Sequence, residues 1–261
     1  TGAILAMADY PNFDPNHYSD FPLEEFVNPN IQRLFEPGSS FKAITMAAAL
    51  DADAVTPETS YYDPGEIKVL SATVRNYDLK SNGYQTMTNV LEKSINTGAV
   101  FAMRQTGHEK FLEYIKRFKF DQKTDIDLAG EVSGDIKNLY TGREINFVTA
   151  SFGQGIALTP LQLVNAYSAV ANKGRMMRPY VVEKIIKPGG ESILIKPEAI
   201  AEPISPETAE TLTSMLVSVI ENGSIKKGRV PGYRIAGKTG TAQEARPEGG
   251  YSDFFIHNLI G

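Results

Sequence analysis

The sequence contains no cysteine, which excludes a disulfide framework, a thiol nucleophile and a metal site built on cysteine. Histidine is scarce as well. The three histidines, His17, His108 and His257, are far apart and match no metal-ligand spacing. We therefore expect neither a metal centre nor a cofactor.

Long apolar segments and positive charge are also lacking. No stretch approaches the roughly 18 apolar residues of a membrane-spanning helix. The net charge is −5 without any basic cluster, so we expect no nucleic-acid partner. A chain of 261 residues can bury one large core, or form one domain with a sizeable insertion.

The segment around Lys42 is the most informative one present. Lys42 stands three residues after Ser39, and residues 43–50 carry no charge, which predicts a buried helix over about 38–50. Burial lowers the pKa of a lysine, so its amine can act as a base. Positions three apart share a helix face, which would place the Ser39 hydroxyl beside this amine as an activated nucleophile. A helix cap followed by a solvated lysine is the simpler alternative.

Two further short motifs follow. Ser94-Ile95-Asn96 falls between predicted helices, where a hydroxyl and an amide would project into a cleft, although both residue types are common at ordinary helix ends. Lys238-Thr239-Gly240-Thr241 predicts a strand with Lys238 and Gly240 on one face. Gly240 would let a ligand or another backbone approach closely, unless this is an ordinary edge strand.

Periodicity and turn residues predict helices in the middle of the chain and strands elsewhere. Helices are predicted at about 87–95, 97–106 and 108–119, after Thr159-Pro160 with Leu161, Val164 and Tyr167 facing inward, and from Ser205-Pro206 to Gly223. Strands are predicted at the opening residues, within 60–85, in a hairpin of 180–187 and 192–196, and at 233–236 and 253–261. Residues 120–143 are predicted to be loop.

The motifs Ser-x-x-Lys, Ser-x-Asn and Lys-Thr-Gly occur in the order typical of penicillin-binding proteins and serine β-lactamases. Nearly the whole chain resembles the transpeptidase domain of class B penicillin-binding proteins, from its opening residues 1–8 onward. Two other stretches similar to that family are 152–163 and 236–243.

The resemblance implies an α/β (α+β) fold of the penicillin-binding protein and serine β-lactamase type. An antiparallel sheet flanked by helices would pack beside a mostly helical subdomain. Within one transpeptidase domain, 1–261, residues 1–50 and 180–261 would form the sheet side and 51–179 the helical subdomain. Relative to the family, the first strand of the sheet before Thr1 and the last strand and closing helix after Gly261 are lacking, which predicts a chain truncated at both ends.

The resemblance also implies catalytic roles. Ser39 would be the nucleophile and Lys42 its base, while Ser94 and Lys238 would relay a proton to the leaving group. The backbone N–H groups of Ser39 and Thr241 would form the oxyanion hole.

Substrate-binding roles follow from the same resemblance. Asn96 would hold a peptide amide of the substrate, and Thr239 and Thr241 would bind its terminal carboxylate. Gly240 and Gln243 belong to the same substrate-binding strand.

The activity implied is that of a serine-type D-Ala-D-Ala transpeptidase/carboxypeptidase in peptidoglycan synthesis, serving cell shape or division. Its partners would be stem peptides ending in D-alanyl-D-alanine, β-lactam antibiotics trapped on Ser39, and a membrane partner such as a glycosyltransferase. It would work on the extracytoplasmic face of the cytoplasmic membrane, held by an anchor upstream of Thr1.

Enzymes and binding proteins of the same fold are alternatives. The middle motif is Ser-Ile-Asn, and no Glu-x-x-Leu-Asn segment supplies the hydrolytic base of class A β-lactamases, since Glu144-Ile145-Asn146 is too short. A transpeptidase is therefore favoured over a serine β-lactamase. A β-lactam sensor or binding module stays open.

Two alternatives on other folds are remote. Residues 232–239 match the P-loop pattern, but that motif opens a helix, and Gly240 and the turn residues of 247–250 argue against one. A Ser-His-Asp hydrolase is disfavoured because no Gly-x-Ser-x-Gly elbow is present and no histidine has a plausible partner.

Overall fold

Helices and short strand pairs make up the structure, a computed structural model that describes residues 1–223, 228–245 and 250–261. The α-helices within these residues are α1 (Pro29–Gln32), α2 (Lys42–Asp51), α3 (Met87–Glu92), α4 (Asn96–Thr106), α5 (His108–Arg117), α6 (Glu144–Ala150), α7 (Pro160–Ala171) and α8 (Pro206–Asn222). Four 3₁₀ turns are described at Tyr18–Asp20, Leu23–Phe26, Gly38–Phe41 and Lys137–Thr141.

The strands of the described residues pair two by two, and every pair is antiparallel. They are β1 (Ser60–Asp63) with β4 (Gly83–Thr86), β2 (Glu66–Val69) with β3 (Ala72–Arg75), β5 (Met176–Met177) with β8 (Ala199–Ala201), β6 (Lys184–Ile186) with β7 (Ser192–Leu194), and β9 (Lys238–Ala245) with β10 (Tyr251–Ile260). In the last pair Thr241 stands opposite His257 and Gly240 opposite Asn258.

Helix α2 lies in the core, as its uncharged sequence predicts. Its residues 42–50 are all buried, and α4, α5 and α8 pack against it. Phe41, Ile44 and Met46 are at most 1% exposed. Burying each such side chain stabilises the fold by about 1.5–3 kcal/mol, so the helix and the turn before it are firmly held.

The helix starts that the sequence marks are confirmed. The Thr159 side chain accepts from the backbone N–H of Gln162 and begins α7 with Pro160 in its first turn, and Ser205 caps α8 in the same way. These caps satisfy backbone N–H groups that have no partner inside the helix. None of the described helices is long and apolar enough to cross a membrane.

Several local predictions are wrong. Leu161 and Tyr167 are buried as predicted, but Val164 is 48% exposed, because the buried face of α7 includes Leu163 and Ala166 in its place. The opening residues form no hairpin strand but a single parallel bridge from Ala3 to Tyr180. Residues 233–236 are irregular, and the strand begins at Lys238. The assignment of 1–50 and 180–261 to a sheet side and of 51–179 to a helical subdomain stays a prediction.

Candidate active site

The Ser39 hydroxyl lies in the 3₁₀ turn Gly38–Phe41 that leads into α2. Two hydrogen bonds fix this turn: Ser40 Oγ donates to the carbonyl of Pro37 at 2.8 Å, and the Tyr167 hydroxyl donates to the carbonyl of Ser40 at 2.7 Å. Ser40 is fully buried, whereas Ser39 is partly exposed. The turn therefore presents one serine hydroxyl at the surface and keeps its neighbour in the core.

The Lys42 amine is buried directly behind Ser39. Its Nζ lies 3.0 Å from Ser39 Oγ, 2.5 Å from the carbonyl oxygen of Ser94 and 3.2 Å from Ser94 Oγ. Lys42 is 1% exposed, and burial, followed by the charge of Lys238, lowers the pKa of its amine well below the usual range. Loss of hydration disfavours the charged form, so this lysine can accept a proton.

Ser94 connects α3 to α4 in a left-handed conformation, with φ of 57°. This region costs a serine about 1–2 kcal/mol, and such strain persists where the surroundings enforce it, often at functional sites. Here it directs both the carbonyl and the hydroxyl of Ser94 towards Lys42.

Lys238, the first residue of β9, completes a continuous path of hydrogen bonds. Its Nζ donates to Ser94 Oγ at 3.0 Å and to the carbonyl of Thr239 at 3.0 Å. The side chain is 1% exposed, and burial lowers the pKa of its amine to about 8. Two amines and two hydroxyls are thus linked in the order Ser39, Lys42, Ser94, Lys238, which is a route for proton transfer.

Strand β9 lies against the Ser39 turn, and glycines permit the close approach. A Cβ on Gly240 would lie 2.5 Å from the carbonyl oxygen of Pro37, and one on Gly38 would lie 2.8 Å from the carbonyl oxygen of Thr241. The expectation that Gly240 lets another backbone approach is confirmed. Gly38, the residue before Ser39, therefore lies against Thr241, and the oxyanion role of the Ser39 and Thr241 N–H groups stays a prediction.

The predicted residues line one cavity of about 570 Å³. Its walls include Ser39, Ser94, Asn96, Thr239, Thr241 and Gln243. Lys42, Lys238 and Gly240 lie behind the walls, where they are buried. Asn96 Nδ2 donates to the carbonyl of Arg75 at 2.8 Å, and Gln243 Nε2 donates to that of Ser252 at 3.3 Å.

Several lining or neighbouring residues were not predicted. The cavity is also walled by Arg75 to Leu79, Asn82, Phe152, Gln154 and Phe255. His257 Nδ1 lies 3.2 Å from Thr241 Oγ1, a contact that the sequence did not predict. The glycines on either side of Gln154 could have indicated that another backbone approaches this segment closely. In the structure a Cβ on Gly153 would lie 2.2 Å from the carbonyl oxygen of Gly38.

Glu36, also missed, precedes the turn and contacts the segment that contains Gln154. One carboxylate oxygen accepts from the backbone N–H of Gly155 at 2.9 Å, and burial raises the pKa of the carboxyl.

The rejection of a P-loop is confirmed, because Lys238 and Thr239 begin a strand rather than a helix.

Known proteins resemble this chain over nearly its whole length. The penicillin binding protein transpeptidase domain model matches residues 1–257. Stage V sporulation protein D of Bacillus subtilis is 39% identical over 264 residues, covering 100% of this chain and 41% of that protein. The peptidoglycan D,D-transpeptidase FtsI homolog of Mesostigma viride is 35% identical over 278 residues, covering 97% of this chain and 46% of the relative. The chain thus spans less than half of either relative.

A solved structure of similar fold supports the same family. Penicillin binding protein 3 of Mycobacterium tuberculosis, complexed with ampicillin, matches with a TM-score of 0.86 and 29% identity, covering 95% of this chain and 56% of that one. The α/β fold class expected from the motifs is confirmed by this likeness. The chain therefore belongs to the penicillin-binding protein transpeptidase domain family.

Proposed function

We propose that the domain is a peptidoglycan D,D-transpeptidase that works through an acyl-enzyme on Ser39. The observation that carries this proposal is the 3.0 Å contact between the buried Lys42 amine and the Ser39 hydroxyl at the edge of the cavity. An amine of lowered pKa can take the hydroxyl proton and so activate the nucleophile.

Acylation begins when Ser39 Oγ attacks the carbonyl carbon between the two terminal D-alanines of a stem peptide, while its proton passes to Lys42. The oxyanion is stabilised by the backbone N–H groups of Ser39 and Thr241. The C–N bond then breaks, and the departing D-alanine nitrogen receives a proton through Ser94 and Lys238, whose Oγ and Nζ are 3.0 Å apart. An ester now joins Ser39 to the remaining peptide.

Substrate binding uses the two sides of the cavity. Asn96 Nδ2 donates to the carbonyl of Arg75, which leaves Oδ1 of Asn96 to accept an N–H of the substrate. The hydroxyls of Thr239 and Thr241 bind the terminal carboxylate in the positive field of Lys238. Gly240 and Gln243 complete this edge of the strand.

Deacylation transfers the peptide to an amine of a neighbouring stem. The amine nitrogen forms the new C–N bond, the ester C–O bond breaks, and the amine proton returns to Ser39 by way of Lys42. Among the described residues that line the cavity, Asp78 is the one carboxylate, and its Oδ1 accepts from the Lys80 N–H. The sequence also has no Glu-x-x-Leu-Asn segment to supply a hydrolytic base, so water should attack the acyl-enzyme slowly and a β-lactam would persist on Ser39 as an inhibitor.

The setting proposed is the extracytoplasmic face of the cytoplasmic membrane, with an anchor upstream of Thr1. A membrane glycosyltransferase is the proposed partner, because it would supply the glycan strands that carry stem peptides. This setting rests on the family alone.

The test is to incubate the protein with a pentapeptide ending in D-alanyl-D-alanine and an acceptor amine, and to follow products by mass spectrometry. A transpeptidase releases D-alanine and forms the peptide–acceptor product, and Ser39→Ala abolishes both. Release of D-alanine without that product would indicate a carboxypeptidase. Rapid penicillin hydrolysis would indicate a β-lactamase, and penicillin acylation without peptide turnover would indicate a sensor.

A further inference from the structure

Asp63, the last residue of β1, is a fully buried carboxylate outside the catalytic path. Its Oδ1 accepts from the Gly65 N–H at 2.9 Å, from Asn76 Nδ2 at 3.0 Å and from Thr97 Oγ1 at 2.5 Å. Its Oδ2 accepts from Asn76 Nδ2 at 2.8 Å, and from the backbone N–H and Nδ2 of Asn82 at 3.0 and 2.7 Å. An acceptor-only group meets only donors here, as an ionised carboxylate requires.

Three of the four donor residues line the cavity or directly follow a lining residue. Asn76 and Asn82 belong to a wall of the cavity, whereas Thr97 follows Asn96 in the first turn of α4. Asn76 Oδ1 also accepts from the Thr97 N–H at 3.2 Å, and Asn96 itself donates to Arg75. Besides these direct bonds, the Asp63 carboxylate is an acceptor shared by Asn76 and Asn82 of the wall and by Thr97 at the start of α4.

The charge of Asp63 suits this role. Burial would raise the pKa of its carboxyl, but hydrogen bonds from Thr97, Asn82, Gly65 and Asn76 together lower it below the ordinary value. The group also lies at the N-terminal end of α4, where a negative charge is favoured by the helix dipole.

We propose that Asp63 is a positioning residue for acylation: it holds Asn96 and the wall formed by residues 75–82 in the arrangement that receives the amide of the substrate. This rests on the proposed function, because it assigns Asp63 to the same cavity. Asp63 does not touch the reacting atoms and acts through Asn76, Asn82 and Thr97. The substitution Asp63→Asn would turn an N–H donor towards these donors and so release the wall.

The test compares Asp63→Asn with Asp51→Asn. Asp51 is a matched control, since its carboxylate accepts from the Ser205 N–H at 2.7 Å and the Tyr114 hydroxyl at 2.9 Å, but it does not line the cavity. Two probes are used: benzylpenicillin, which carries a side-chain amide, and 6-aminopenicillanic acid, which lacks it.

The second-order acylation constant, measured per folded molecule, gives the result. For benzylpenicillin we expect a fall of roughly tenfold to a hundredfold in Asp63→Asn, as for a displacement of about 1 Å, and a smaller fall for 6-aminopenicillanic acid. Asp51→Asn should leave both constants unchanged. Equal falls for the two probes, or constants matching those of Asp51→Asn, would overturn the role of Asp63.

Thr97→Val is a milder variant that keeps the side-chain volume and removes one donor to Asp63. It should lower benzylpenicillin acylation in the same direction by a few-fold, and it decides the matter if Asp63→Asn does not fold. Unchanged acylation in Thr97→Val would then count against the proposal. Failure of the unmodified protein to acylate would contradict the proposed function instead.

Discussion

The two sides of the cavity are built differently. Ser39, Lys42 and Ser94 come from the start of α2 with the turn before it and from the junction of α3 and α4, which are packed into the core. In contrast, β9 and β10 form a two-stranded edge with exposed Phe254 and Leu259. Acid–base chemistry needs amines that are shielded from water, and an extended peptide needs an accessible strand edge. The reactive groups therefore lie in a buried, water-poor part of the cavity, whereas the substrate-binding strand is exposed. Lys238 belongs to that strand and contacts the reactive groups.

Removing the base on the helical side should have the largest effect. Lys42→Ala should lower the rate of penicillin acylation by about 10²–10⁴-fold, the usual contribution of a general base. The exposed, remote Lys68 on β2 is the matched control, and Lys68→Ala should acylate normally. Acylation of Lys42→Ala within a few-fold of the unchanged protein would contradict the role of Lys42 as the base.

Disturbing the fit between the two sides should come next. Gly240→Ala places a methyl group 2.5 Å from the Pro37 carbonyl, so β9 must shift, and a displacement of about 1 Å can cost roughly a hundredfold in rate. Gly189, in the turn between β6 and β7, has no atom within 4 Å of a Cβ position, so Gly189→Ala is the control. Equal acylation by both variants would show that the close approach is dispensable.

The pH dependence of acylation should report both lysines. The rate should rise with pH as the Lys42 amine loses its proton, and fall above about 8, where Lys238 is deprotonated and can no longer pass a proton to the leaving group. The change is at most tenfold per pH unit. Lys238→Arg, which stays charged, should remove the alkaline fall. An alkaline limb that persists in this variant would assign it to another group.

The smallest effect concerns stability. At pH 7 the buried Lys238 is largely protonated at a cost to the fold, so Lys238→Met should raise the free energy of unfolding by about 1 kcal/mol. Since the folded pKa, about 8, lies below that of the unfolded chain, the unchanged protein gains stability as pH rises above 8. The advantage of Lys238→Met in thermal unfolding should therefore shrink by pH 10. Lys68→Met should show no such pattern.

Sequence reasoning located the residues whose chemistry is local. Ser39 and Lys42 are three apart on a helical segment, and Gly240 sits where only a glycine leaves room, so their placement follows from short-range geometry. Lys238 could be joined to Ser94 only through the resemblance to a known family, because 144 residues separate the two.

The missed features depend on tertiary packing. Asp63 stands at the end of an ordinary short strand, and the partners that reveal its role come from distant parts of the chain, such as Thr97. In the sequence Glu36 looks like any charged loop residue, and only the fold shows that it is partly buried with a raised pKa. The exposure of Val164 was misjudged because the orientation of α7 is set by the elements packed around it rather than by its own periodicity.

The most direct test of the central claim is the intact mass of the protein after incubation with benzylpenicillin, beside a Ser39→Ala control. The account predicts a single adduct of the mass of the drug that persists for hours and is absent from the control. An unmodified mass on protein shown to be folded, or an adduct that survives in Ser39→Ala, would contradict the assignment of Ser39 as the nucleophile.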